Sequence, residues 1–177
     1  LASVDFFTVP TAQFRVLYVF IVLSHHRREI VHFNVTEHPT AEWTAQQLVE
    51  AFPFDSAPRF LHRDRDAIYG EKVQRRIMSL GIKEVVTAPR SPWQNPYCER
   101  VIGCCRRDCL DHVIVLNERH LHKSLREYLS YYHTCRTHLS LNKDPPKKRP
   151  GEPTKLGNIV ATPRVGGLHH RYARVAA

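Results

Sequence analysis

The apolar positions along the chain change period twice. Residues 2–8 (ASVDFFT) and Glu29–Val35 flank a run, Phe14–Leu23, that is rich in Val, Ile, Phe and Tyr and has no polar alternation after Arg15. Such a run suits a strand buried on both faces. Turns at Pro10–Gln13 and Ser24–Arg28 make the three segments an antiparallel meander. After Pro39 and Thr40 the period becomes helical. Ala45, Leu48, Val49 and Phe52 fall at i, i+3, i+4 and i+7, with Thr40 as the N-cap. Pro53 and Pro58 bound a loop, and Arg59–His62 reads as a short strand. Val73, Ile77 and Leu80 mark a second helix, ended by Gly81. Ile82–Thr87 (IKEVVT) is a fifth strand. The run APRSPWQNPYCER, residues 88–100, admits no regular structure before Asn95, which is placed to cap a helix opening on Pro96. A last helix over about Asn117–His133 aligns Leu121, Leu125, Tyr128, Leu129 and Tyr132 on one stripe. The order is βββαβαβαα, a mixed α/β class, and no internal repeat is visible.

From about Leu141 these patterns stop. Residues 141–177 hold five prolines, four of the seven glycines, and eight Lys and Arg against two acids, so this tail carries +6 of the net +9. The expected organisation is a folded core over 1–140 and a basic Pro/Gly-rich extension over 141–177, extended or loosely packed. A length of 177 residues suffices for one domain with a real core. The charge points to a polyanionic partner, nucleic acid first, against a basic surface kept for solubility. The longest apolar run, Val16–Leu23, falls far short of the roughly 20 residues of a membrane span. No secretory signal is visible, and the chain opens at Leu1 with Met78 its only methionine. The expectation is a fragment whose natural N-terminus lies upstream, from a reducing compartment. Five clustered cysteines (98, 104, 105, 109 and 135) do not form a disulfide framework. Cys105, Cys109 and His112 would share a helical face and so raise zinc, against the reading of buried free thiols.

Three acids take special places. Asp5 sits within the first strand, Asp64 and Asp66 follow the fourth, and Glu99 lies near the start of the helix after the fifth. If the first and fourth strands are neighbours, Asp5 and Asp64 stand side by side, and the helix bearing Glu99 closes the cluster. Converging carboxylates repel one another unless a counter-charge is present, and hard divalent cations supply it through oxygen ligands. Two such ions about 4 Å apart clamp the attacking and leaving oxygens of a phosphodiester. The plainer alternative makes Asp5 a strand-edge acid and Asp64 and Asp66 helix caps.

The motifs resemble those of the DDE transposases and integrases of bacterial insertion sequences, over about residues 1–142. SVDFFTV resembles the family's first strand with its acid. FLHRDRDAIY resembles the segment written H-S-D-R-G-x-x-Y. PRSPWQNPYCER resembles the loop before the final Glu, and YYHTCRTHLSL resembles the closing Y-(N/H)-x-x-R-x-H-x-x-L signature. The resemblance implies a ribonuclease H-like fold with a five-stranded mixed sheet flanked by helices. It implies Asp5, Asp64 and Glu99 as catalytic residues and metal ligands. Asp64 is chosen because it lies five residues before Tyr69, which leaves Asp66 as a helix N-terminal acid. It further implies two Mg²⁺ or Mn²⁺ ions per site, and hydrolysis at element ends followed by strand transfer into target DNA. Arg63, Arg65, Arg100, Arg106, Trp93 and Asn95 are the expected DNA contacts, with Gly103 allowing close backbone approach. Arg106 could equally be a solvated charge and Trp93 a packing residue. Arg136 and His138 orient the last helix or support the acids. The expected partners are DNA and further copies of the chain, without membrane or small-molecule substrate, in the bacterial cytoplasm at the nucleoid. Thirty-four residues separate Asp64 from Glu99, one fewer than the commonest family spacing, and the family's N-terminal helix-turn-helix module is missing. The alternative is a catalytically decayed fragment that only binds DNA or assembles.

Overall fold

The computed structural model describes residues 1–89 and 91–176. Arg90 of the proline-rich loop and Ala177 of the tail lie outside the described residues. Strands β1 (Ala2–Pro10), β2 (Val16–Ser24) and β3 (Glu29–Thr36) form the meander. There follow α1 (Ala41–Ala51), β4 (Phe60–Arg63), α2 (Glu71–Ser79), β5 (Lys83–Val86), α3 (Pro96–Asp108), α4 (Glu118–Thr134), and then β6 (Asn158–Arg164) and β7 (His169–Val175). The main sheet runs β3-β2-β1-β4-β5. β1 is antiparallel to β2 and parallel to β4, and β4 is parallel to β5.

β2 shows why the sheet needs two covers. Leu17, Val19, Ile21 and Leu23 pack on one side with Val101 and Cys105 of α3 and Leu121, Leu125, Tyr128 and Tyr132 of α4. Phe20 and Val22 pack on the other side with Leu48 of α1 and Val73 and Ile77 of α2. Side chains alternate across a strand, so a run without polar positions has to be covered twice. The result is a three-layer α/β/α core. Gln47, buried in α1, accepts from Asn34 Nδ2 at 2.8 Å and lies 2.8 Å from His32 Nε2, which pins α1 to β3.

Helix ends follow local chemistry in most places. Thr40 Oγ1 accepts from the Trp43 N–H at 3.2 Å, and Asn117 Oδ1 accepts from the His120 N–H at 2.9 Å. Gly81, at φ +70, takes the left-handed turn after α2. Asn95 departs from expectation: its side chain makes no cap bond to α3.

The cysteine-rich run is part of the core. Cys98, Cys104, Cys105 and Cys109 are buried free thiols. Burial pushes Cys109 up to about 11, and Cys98 and Cys105 further still. The helical face proposed for zinc does not form. α3 stops at Asp108, and a separate 3₁₀ turn, Leu110–His112, carries His112, whose Nε2 donates to the Arg107 carbonyl at 3.0 Å.

The tail also departs from expectation. It is not loosely extended: β6 and β7 pair as an antiparallel hairpin from Asn158 with Val175 to Arg164 with His169. Gly157, at φ +113, opens it where a Cβ would meet the Val175 carbonyl at 2.2 Å. The hairpin docks on α4. His169 stacks on Tyr131 (centroids 4.4 Å apart, planes 7° apart), and its Nε2 donates to the Asp108 carbonyl at 2.7 Å. Removing that contact by His169→Ala costs about 1 kcal/mol, a fall of roughly 2–4 °C in Tm by calorimetry. An unchanged Tm would show that the hairpin is not held on α4.

Candidate active site

The geometry begins with the register of two short parallel strands. Ala2 pairs with Leu61 and Ser3 with His62, an offset of 59, and the same offset carried forward sets Asp5 beside Asp64, one residue past β4. Alternation puts Asp5 on the face of Phe7 and Val9, the face that α3 covers. Glu99, in the first turn of α3, comes to the rim of the same cleft. That cleft, about 410 Å³, is lined by Asp5, Asp64, Asn95, Glu99, Ile102 and Arg106, with Thr87 and residues 6–8 completing its walls. Three acids from β1, the end of β4 and α3 therefore share one cleft.

Asp66 has another task. Its Oδ1 accepts from the Ile68 N–H at 3.0 Å and caps the 3₁₀ turn Ala67–Tyr69, while its own N–H donates to Asp64 Oδ1 at 3.1 Å. It does not line the cleft.

The other expected residues divide. Arg63 is buried, and each of its three guanidinium nitrogens donates a hydrogen bond. Nη2 and Nε donate to Glu84 Oε2 at 2.6 and 3.0 Å, Nη1 donates to the Asp64 carbonyl at 2.9 Å, and the group lies over the Tyr69 ring. It ties β4 to β5 and is not free to approach DNA as expected, because Glu84 on the neighbouring strand compensates its charge. Arg65 is exposed and donates from Nε to the Thr87 carbonyl at 2.8 Å, on the cleft wall. Arg106 is exposed, lines the cleft, donates to the Thr8 carbonyl at 3.2 Å and covers the Phe7 ring. Arg100 lies on the other side of α3, away from the acids. Trp93 is 68% exposed on the loop, outside the cleft wall. Over Gly103 lies only the flexible end of the exposed Arg107 side chain, whose Nη1 is 2.8 Å from where a Cβ would stand.

Asn95 is the support that spacing alone does not reveal. Its Nδ2 donates to the Val4 carbonyl and to Asp5 Oδ2, each at 3.3 Å, and this use of the amide explains the missing helix cap. Gln94 closes the loop, its Oε1 accepting from the Ala88 N–H at 2.8 Å. The closing signature lies away from the acids. Arg136 Nε donates to Asp108 Oδ2 at 2.9 Å, beside the Tyr128 hydroxyl on the same oxygen, and fixes α4 to α3.

The electrostatics mark Asp5. Burial first, then the charge of Asp64, raises its carboxyl to about 7, and Glu99 and Asp66 add to the rise. The donor set of the cleft is all oxygen, and Asn95 Oδ1, buried beside Asp5, has no hydrogen-bond partner. This chemistry suits a hard divalent cation. Among the described residues, however, no three His, Cys, Asp or Glu side chains stand close enough to hold an ion as they are.

Residues 80–146 match the integrase core domain. The matched segment contains Asn95, Glu99, Arg106, Arg136 and His138, and leaves Asp5 and Asp64 outside it. The fold resembles a chain of the simian T-cell lymphotropic virus intasome in complex with PP2A regulatory subunit B56 gamma (TM-score 0.65, 13% identity, 97% of this chain and 65% of that one). It also resembles the HTLV-2 integrase catalytic core domain in complex with magnesium, in a trimeric form (TM-score 0.59, 12% identity, 80% and 90%). The catalytic domain of Mos1 mariner transposase is similar too (TM-score 0.62, 12% identity, 73% and 69%). The chain thus spans about two thirds of the intasome chain. No curated protein matches the sequence. Residues 80–146 thus resemble the integrase core domain in sequence, and the fold resembles those of integrase and transposase catalytic cores. Among the described residues no helix is long and apolar enough to cross a membrane.

A raised carboxyl makes stability depend on pH. Asp5 binds its proton more tightly in the folded chain, near 7, than unfolded, near 3.8. Its contribution is therefore full below about pH 4 and lost as pH rises through 7, on the order of a few kcal/mol. In EDTA, Asp5→Asn should flatten the fall of Tm between pH 4 and 8 and leave the variant more stable than the native chain at pH 8. Parallel profiles for the two proteins would show that Asp5 is not held this way.

Proposed function

We propose that this chain is the catalytic core of a DNA transposase or integrase, a metal-dependent polynucleotidyl transferase. The observation that carries the reading is the convergence of Asp5, Asp64 and Glu99 in one cleft from three separate elements. In the first reaction, water attacks a phosphodiester at an element end. A new phosphorus–oxygen bond forms, the bond to the 3′ oxygen breaks, and the element keeps a free 3′ hydroxyl. That hydroxyl then attacks a target phosphodiester in line, so that one bond is exchanged for another.

The chain's own groups prepare this chemistry. Asp5 and Asp64 form the floor of the cleft and Glu99 its rim, and these three would hold divalent ions, Mg²⁺ or Mn²⁺, two per site. Such ions, when bound, supply positive charge to the attacking and leaving oxygens. The Asn95 amide orients Asp5 by donating to its Oδ2. Arg106 at the cleft edge can meet a phosphate oxygen, with its aliphatic stem held along Phe7. Asp66 keeps the 3₁₀ turn in place and so fixes where Asp64 stands. The partners on this reading are DNA ends, target DNA and further copies of the chain. The magnesium bound by the HTLV-2 core supports the choice of ion.

The test compares Asp64→Asn with Asp66→Asn in Mn²⁺ binding by calorimetry and in cleavage of a supercoiled DNA substrate. Asp64→Asn should lose both activities, by a factor of at least about 100, and Asp66→Asn should keep most of each. If Asp64→Asn cleaved like the native chain, the assignment would fail. If the native chain bound no Mn²⁺ even with DNA present, the decayed DNA-binding fragment would be the better account.

A further inference from the structure

α3 has a second working face. Glu99, Ile102 and Arg106 border the acid cleft. Arg100, Cys104 and Arg107 lie roughly half a turn around the helix and border another cleft of about 330 Å³. Four arginines, Arg28, Arg100, Arg107 and Arg136, line it together with His138, and no acidic side chain does. Arg136 is paired with Asp108. Among the described residues Arg28, Arg100 and Arg107 have no carboxylate partner. Arg28 stands over the Tyr97 ring at 4.7 Å, which holds its guanidinium at the cleft.

His138 gives the cleft its direction. The ring is buried and packs edge-on against Tyr132 at 4.8 Å. Its Nδ1 lies 3.5 Å from Nη1 of Arg136, which can only donate. Nδ1 therefore accepts, and the ring proton sits on Nε2. That N–H is buried without a hydrogen-bond partner. Burial, then the charges of Arg136 and Arg28, push His138 down to about 4, against the backbone of Tyr132, which favours protonation. Arg28 is half-buried and Arg100 and Arg107 are exposed at the cleft, so together with the buried donor they can meet an acceptor of high charge with several oxygens. One carboxylate offers too little charge, whereas a phosphoryl group offers both charge and fork-compatible oxygens.

We infer that the cleft formed by Arg28, Arg100, Arg107, Arg136 and His138 is a phosphate-binding site, and that it takes a non-reacting phosphodiester of the nucleic acid processed in the acid cleft. The phosphate chemistry stands on these residues alone. The source of the phosphate, the DNA backbone, rests on the proposed function.

The experiment uses the full chain in EDTA. Inorganic phosphate is titrated while the His138 ring resonance is followed by NMR, with sodium chloride at equal ionic strength as reference. Binding of a labelled DNA duplex is measured by anisotropy across salt concentrations for the native chain, for Arg100→Gln/Arg107→Gln, and for Arg119→Gln/Lys123→Gln as a control on another basic surface. The inference expects phosphate, and not chloride, to move the His138 signal in the native chain and not in the Arg100/Arg107 variant. It also expects that variant alone to lose at least about tenfold in DNA affinity, with the salt slope reduced by about two. Equal loss in both double variants, or phosphate binding that the Arg100/Arg107 variant retains, would overturn the site. Phosphate binding without any change in DNA affinity would overturn the DNA backbone as its source. Cleavage is not read here, so an inactive acid cleft leaves these outcomes intact and counts only against the catalytic reading.

Discussion

β1 and β4 lie side by side in parallel, and only two residue pairs hold their register, Ala2 with Leu61 and Ser3 with His62. A parallel neighbour cannot be reached by a tight turn, so the chain crosses over through α1 to bring β4 alongside β1. A slip of one residue would turn Asp64 to the opposite face and bring Arg63 or Arg65 in its stead. The buried Arg63–Glu84 pair fixes β4 on its other side, against β5. The same guanidinium holds the Asp64 carbonyl. A buried pair of this kind adds little net stability but strongly penalises any arrangement that separates it. The position of the acid is thus secured by the residue next to it.

α3 divides the chemistry around it. Its buried stripe, Cys98, Val101 and Cys105, packs on the sheet. The acid cleft lies on one flank of that stripe and the basic cleft on the other. Small thiol side chains let the helix sit close to β1 and β2, which carries Glu99 into the cleft from the side. The helix is tied to α4 by Asp108, which serves both the Tyr128 hydroxyl and Arg136, so the closing signature controls where α3 lies.

Much of this was legible because the signals were local. The unbroken apolar run of β2, the Thr40 cap and the stripe of α4 each depend on nearby residues. The choice between Asp64 and Asp66 was not legible from periodicity, since both share a strand face. It turns on where β4 stops and on the 3₁₀ turn that draws Asp66 to the Ile68 N–H. Arg63 was misread for a non-local reason, its partner being on the next strand. Asn95 had two competing uses, capping α3 or bracing Asp5, and only the packed loop decides between them. The basic cleft collects side chains from the β2–β3 turn, α3 and the segment after α4, so no spacing in the sequence announces it. The hairpin of the tail was obscured by Pro163 and its many cations, although Gly157, Gly166 and Gly167 mark its entry and turn.

The buried thiols have a practical consequence. With Cys98, Cys105 and Cys109 enclosed in the core and Cys104 buried in the wall of the basic cleft, Cys135 alone of the five is half-buried, just past the end of α4. It lines a hollow shared with Tyr172 and Arg174 of the hairpin. A maleimide dye added to the unaltered protein would therefore attach at the seam between the α/β core and the C-terminal hairpin. The sequence thus offers a thiol at which a spectroscopic label would report on that seam.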